Sequence, residues 1–215
     1  MARDQHPKQE RAQATRAAIV LAAATVFARR GYARTTLDEV AVAAGVTKGA
    51  LYFHFSSKHD LADAVIEEET RITSERAQAT LAEGRPGLET LVRLTLGFTI
   101  EIVDDVVVAA GVRLTTEELG DELHVHLPYE MWAEVYLGLL RRGVDEGQLR
   151  SDLDPEKVAR FLVAAFTGVQ SVSNVLTGRA DLVPRVREMW ETLLPAICAP
   201  EQLDGCRHLP ELITR

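Results

Sequence analysis

Glycine and proline punctuate this 215-residue chain at intervals that leave helix-length segments between them. The breaks fall at Gly31, Gly45, Gly84-Arg85-Pro86-Gly87, Gly120, Pro128, Gly147, Pro155, Gly178, Pro184, Pro195 and Pro200. Between them the chain is rich in Ala, Leu, Glu and Arg, and no stretch sustains the period-two alternation of a half-buried strand. The pattern predicts an all-α fold of about nine helices. At 47% hydrophobic residues there is apolar material for a sizeable core. The longest apolar-rich run, Ala17 to Ala28, falls short of the ~20 residues a bilayer span needs, so no membrane partner is expected. Met1 to Glu10 is polar and unlike a secretory signal. Two cysteines, Cys198 and Cys206, cannot staple a fold of this size, which points to the reducing cytoplasm.

Charge is distributed unevenly. Residues 1–56 carry a net +4, while the remaining 159 residues carry −12. A basic head on an acidic body is the footprint of a local contact with nucleic acid.

Local signals then place the helices of the head. Ile19, Ala22, Ala23, Val26 and Phe27 form one apolar stripe on a helix over about Arg11 to Arg30, which Gly31 terminates. Thr36 followed by Glu39 is a capping box that opens a second, short helix ending at Gly45. Thr47 is the natural cap of a third, from Lys48 to about Phe53, and Ser57 starts a fourth that runs to about Glu83. A short helix, a glycine turn and another short helix make a helix-turn-helix. In the third helix Gly49 and Ala50 leave room for close approach to major-groove edges. Ala50 can touch a thymine methyl, and Lys48 can reach a guanine acceptor or a phosphate. Thr36, Thr47, Tyr52, His54 and Lys58 complete the candidate DNA-binding set, with phosphate as the main target. His54 has a capping or packing role as its alternative, and Leu51 and Phe55 are expected in the core.

The run Gly45-Val46-Thr47-Lys48-Gly49-Ala50-Leu51-Tyr52-Phe53-His54-Phe55, with Ser57-Lys58 after it, resembles the DNA-binding domain of the TetR family of bacterial repressors. The match covers about Arg11 to Val65. Further on, Val108 to Leu114, Pro128-Tyr129-Glu130-Met131-Trp132, Phe166 to Ser173 and Leu194 to Ile197 are similar to the γ-butyrolactone autoregulator receptors of actinobacteria. That resemblance implies a homodimeric repressor of antibiotic or secondary-metabolite genes. It would release a pseudo-palindromic operator on binding a γ-butyrolactone, butenolide or furan signal. An antibiotic or other drug-like effector is the alternative. It also implies that Trp132 lines the ligand cavity, a plain core tryptophan being the competing reading. Tyr136 lies one turn on. Phe166, Thr167 and Gln170 share a mostly apolar helix, so the two polar residues need partners, either a ligand or an interhelical hydrogen bond.

Five helices are expected beyond Gly87: Leu88 to Val103, Val106 to Leu114, Tyr129 to Gly147, Pro155 to Thr177 and Leu182 to Ile197, with 115–127 a loop. Asp154-Pro155 is a strong start signal for the fourth of these. The last two helices are apolar on more than one side, so Phe161, Ala165, Val169, Val186, Met189, Trp190 and Leu193 are expected to form a homodimer interface. The domain expectation is a DNA-binding domain over 1–56, preceded by a flexible basic arm. A ligand-binding and dimerisation domain over 57–215 follows, with a disordered tail. No catalytic residue, cofactor or metal is expected. Glu122, His124 and His126 lack the spacing of a ligand set, and no nucleophile elbow or phosphate loop occurs.

Overall fold

The computed structural model describes residues 6–117 and 126–212. Among the described residues it holds ten α-helices and one 3-10 helix, with no strand. They form two compact units. Residues 6–72 with 105–117 make the first, the head, and residues 73–104 with 126–212 the second, the body. The part of the basic arm before residue 6 and the pair Glu122 and His124 lie outside the described residues.

The head comprises α1 (His6–Arg30), α2 (Leu37–Ala44), α3 (Lys48–His54), the first part of α4 (Lys58–Ala82) and α6 (Val106–Thr116). The expected stripe of α1 is buried, and it meets Val40, Leu51 and Phe55 from α2, α3 and the residue after it. A boundary at residue 56 leaves out part of this core. Leu61, Ala62 and Val65 of α4, with Val107, Ala110 and Leu114 of α6, pack into the same cluster. One long helix and two short ones bury too little surface to stand alone, so the head recruits two more. Polar groups reinforce the seam: Arg113 donates to the Ala28 carbonyl at 2.9 Å, and the Tyr32 amide donates to Glu117 at 2.8 Å. These bonds satisfy backbone groups at and just beyond the end of α1 that have no partner within the helix.

The body comprises the rest of α4, α5 (Gly87–Asp104), α7 (Leu127–Asp145), α8 (Pro155–Thr177), α9 (Leu182–Ile197), α10 (Leu203–Cys206) and η1 (Leu209–Leu212). Helix α5 runs through its core, burying Leu88, Leu91, Val92, Leu94, Leu96 and Ile102. Its two most deeply buried threonines return their hydroxyls to their own helix, Thr95 to Leu91 at 2.9 Å and Thr99 to Thr95 at 2.8 Å, so burying them costs little. Helix α5 enters this core against α7 at Gly87, where a Cβ would lie 2.7 Å from the Leu139 carbonyl oxygen. Only glycine permits that approach. Asp154 caps α8 by accepting from the Lys157 amide at 3.1 Å, as its sequence signal predicts.

The tail expected to be disordered is ordered where described. Cys206, Leu209 and Pro210 are buried, and Arg187 donates to the Pro210 carbonyl at 3.2 Å. Helix η1 packs on α5 and α9, and these few apolar residues suffice to hold the segment down. Burial beside Cys206 pushes the Cys198 thiol up to about 12, so it stays unreactive at neutral pH.

Candidate functional site

The turn between α2 and α3 is built almost entirely from local bonds. The Thr36 side chain accepts from the Glu39 amide at 3.3 Å, and Glu39 accepts back from the Thr36 amide at 3.1 Å. Gly45 takes a left-handed φ of +66° with its amide bonded to Val42, a conformation a side chain would strain. Thr47 then caps α3 by accepting from the Ala50 amide at 3.2 Å. Leu51 and Phe55 anchor the helix in the core, as expected.

The opposite face of α3 is open. Lys48, Gly49 and Tyr52 are exposed and Ala50 is half-exposed, with nothing within 4 Å of the position a Cβ on Gly49 would take. Lys48 is held by Asp38 at 2.7 Å, and its Nζ lies 6.0 Å from the Tyr52 ring centre. The Asp38 hydrogen bond and charge raise the Lys48 pKa above the ordinary lysine value. His54 is half-buried, edge-on to Phe53. Lys58 has a structural occupation: it donates to the Tyr32 carbonyl at 3.0 Å and sits 4.3 Å above the Tyr32 ring centre. Sequence reasoning passed over Phe53 and Val42, each 81% exposed. The signal for Phe53 was available, since Leu51 and Phe55 leave it no inward position.

In the body, Trp132, Tyr136 and Phe166 come together in one aromatic cluster, joined by Phe98. Phe98 stacks on Trp132 and on Phe166, each at 5.5 Å between ring centres, and Trp132 lies 5.9 Å from Tyr136. Phe98 escaped sequence reasoning because α5 is apolar on nearly every side. The Tyr136 hydroxyl bonds Thr95, and burial pushes its pKa up to about 12, so it stays neutral. Gln170 is buried one turn beyond Phe166, whereas Thr167 is half-buried on the adjoining face. A crevice of about 20 Å³, lined by Thr73, Ala77, Gly97 and Glu101 among others, borders Phe98 and Trp132.

Outside this core, α8 and α9 form an apolar groove of about 550 Å³ containing Phe161, Ala165, Val169, Met189 and Leu193, with Gly168 and Val172 in addition. Phe161 is 56% exposed there. Two residues expected on the interface are instead inside their own subunit: Val186 and Trp190 are fully buried. The reason is helical phase. Positions 186, 190, 194 and 197 share the inward face of α9, and 189 and 193 lie about 100° round from it.

Two family models match the chain. "Bacterial regulatory proteins, tetR family" covers residues 19–65, and "Tetracyclin repressor-like, C-terminal domain" covers 85–199. The A-factor receptor protein of Streptomyces griseus is 41% identical over 193 residues, spanning 90% of this chain and 67% of that protein. The crystal structure of a gamma-butyrolactone receptor (ArpA-like protein) superposes with a TM-score of 0.78 at 35% identity, covering 94% of this chain and 96% of the other. CprB from Streptomyces coelicolor, in complex with its biological operator sequence, gives a TM-score of 0.81 at 36% identity, covering 94% and 97%.

Proposed function

The chain belongs to the TetR family of bacterial regulatory proteins, DNA-binding repressors rather than enzymes, and we propose that it answers a γ-butyrolactone, butenolide or furan signal and controls antibiotic or secondary-metabolite genes. What carries this reading is the likeness to the A-factor receptor protein over 90% of the chain. The protein acts as a homodimer in the cytoplasm, where its operator lies. Helix α8 has the length and hydropathy of a membrane span, but one apolar face serves the body's core and the other forms the α8–α9 groove. That groove, centred on Phe161, Ala165, Val169, Met189 and Leu193, is the isologous interface.

Without signal, two copies of α3 sit in successive major grooves roughly 34 Å apart. Lys48, Gly49, Ala50 and Tyr52 face the bases and nearby phosphates; Thr36, Thr47 and His54 flank them on the backbone, and Lys58 adds charge. The signal binds at the aromatic cluster of Trp132, Tyr136 and Phe166, with Thr167 and Gln170 as its polar contacts. Helix α4 is continuous from Lys58 to Ala82, with Leu61 and Val65 in the head's core and Thr73 and Ala77 on the crevice beside Trp132. A signal bound at this crevice acts on the body part of α4. It acts only as far as it binds the released state more tightly.

The test uses an operator selected from random DNA and a synthetic γ-butyrolactone. Trp132→Phe is expected to bind operator like the natural protein yet need at least tenfold more lactone for release. Release at an unchanged lactone concentration would remove Trp132 from the signal site.

A further inference from the structure

Phe98 is the member of the aromatic cluster with a way out. Trp132 and Phe166 are buried at 8% and 6% exposure, whereas Phe98, which joins them, is half-buried and borders the crevice. At about 20 Å³ that crevice itself holds one water at most while Phe98 is in place. Both stacks are close to parallel, with interplanar angles of 25° and 24°, so the ring occupies a slot that a flat or thin apolar group would also fill. Its neighbour Gly97 has nothing within 4 Å of a Cβ position, leaving open space beside that turn of α5.

A second observation concerns polarity. Gln170, one turn beyond Phe166 on α8, is 3% exposed. Its Nε2 donates to Ser171 at 3.1 Å, but its Oε1 is buried with no hydrogen-bond partner. A buried acceptor left unpaired is costly, and a ligand that brings a donor recovers that cost. Charge offers nothing comparable, because Arg76 pairs with Glu101 at 3.6 Å and Arg93 with Glu89 at 2.8 Å along the crevice. A charged ligand would have to break one of these pairs.

We propose that Phe98 is a built-in plug that holds the effector's place between Trp132 and Phe166. The molecule that displaces it is neutral, flat or thin at its apolar end, and carries a hydrogen-bond donor for Gln170 Oε1. This deepens the effector reading above and rests on it. The signal exchanges one stacked group for another and adds one hydrogen bond.

Calorimetry on the full chain tests this with two probes of one shape, indole, which has an N–H donor, and benzothiophene, which has none. Phe98→Ala should bind both at least tenfold more tightly than the natural protein, and indole at least fivefold more tightly than benzothiophene. Adding Gln170→Leu should erase the difference between the probes. Phe98→Leu, which keeps an apolar side chain, should tighten both by at least threefold and serves if Phe98→Ala does not fold. Folded variants that bind no better than the natural protein would overturn the plug. Equal affinity for both probes in Phe98→Ala would overturn the role of Gln170. A gel shift with the selected operator keeps the two readings apart: probe results cannot rescue a protein that binds no operator, and intact operator binding with failed probes defeats this inference alone.

Discussion

In the head, the residues proposed to meet DNA stand outside the core, on helices whose ends are closed by neighbours in sequence. Thr36 answers Glu39, Thr47 answers the Ala50 amide, and Lys48 and Tyr52 are left facing solvent. In the body, the residues proposed for a ligand are the core itself: Trp132, Tyr136, Phe166 and Gln170 are all buried. The difference teaches where function and stability separate. Head substitutions on the open face should change binding and leave folding alone. Body substitutions should move both, except in the groove of α8 and α9.

The hardest blow to this contrast would come from Trp190. Being fully buried, Trp190→Ala is expected to cost ~3–5 kcal/mol in urea unfolding. Phe161→Asp, on the open groove of the neighbouring helix, should instead shift the protein toward monomer in sedimentation, by roughly 2 kcal/mol or more of association energy. A Trp190→Ala protein that melts like the natural one but dissociates would return Trp190 to the interface.

The head's half of the contrast is sharper but smaller. Lys48→Ala and Tyr52→Ala should each weaken operator binding by about 1–3 kcal/mol in a gel shift. Their unfolding should stay within about 0.5 kcal/mol of the natural protein's, as for other exposed positions. Operator binding unchanged in both would mean that another face of α3 meets the DNA.

The smallest effect is the share of the pH dependence that Asp181 contributes in the body. Ser173, Thr177 and Arg185 all donate to Asp181 and hold its carboxyl down at about 2, below its ordinary 3.8. A depressed carboxylate stabilises the fold fully above pH ~4 and loses that contribution as pH falls toward 2. Acid unfolding should therefore show a slope in that window which is shallower in Asp181→Asn. An Asp181→Asn protein with the same slope would assign it to other carboxylates.

The sequence was most legible where structure is local. The capping box at Thr36, the cap at Thr47 and the Asp154-Pro155 start each involve residues within four positions, and the geometry matches them. It was least legible where partners are distant. Nothing near Val107 or Leu114 announces that α6 completes the head's core, and nothing near Leu209 announces a seat against α5 and α9. Helix α9 is the instructive middle case. Two apolar faces imply that one turns inward, yet only packing decides that Trp190 does and Met189 does not. Phe98 was hidden for the opposite reason, a helix apolar on so many sides that no single ring stands out.

The ion pair between Lys48 and Asp38 bears on how the head would respond to ionic strength. A cation that neutralises a phosphate normally frees the mobile ions condensed on the duplex, which makes affinity fall steeply with salt at ~0.9 per contact in log units. Lys48 arrives already carrying a fixed counterion of its own. Engaging DNA would strand the Asp38 carboxylate close to the phosphate backbone, offsetting part of what the cation gains. The head would thus trade non-specific attraction for discrimination, with a salt dependence shallower than its tally of lysines and arginines implies.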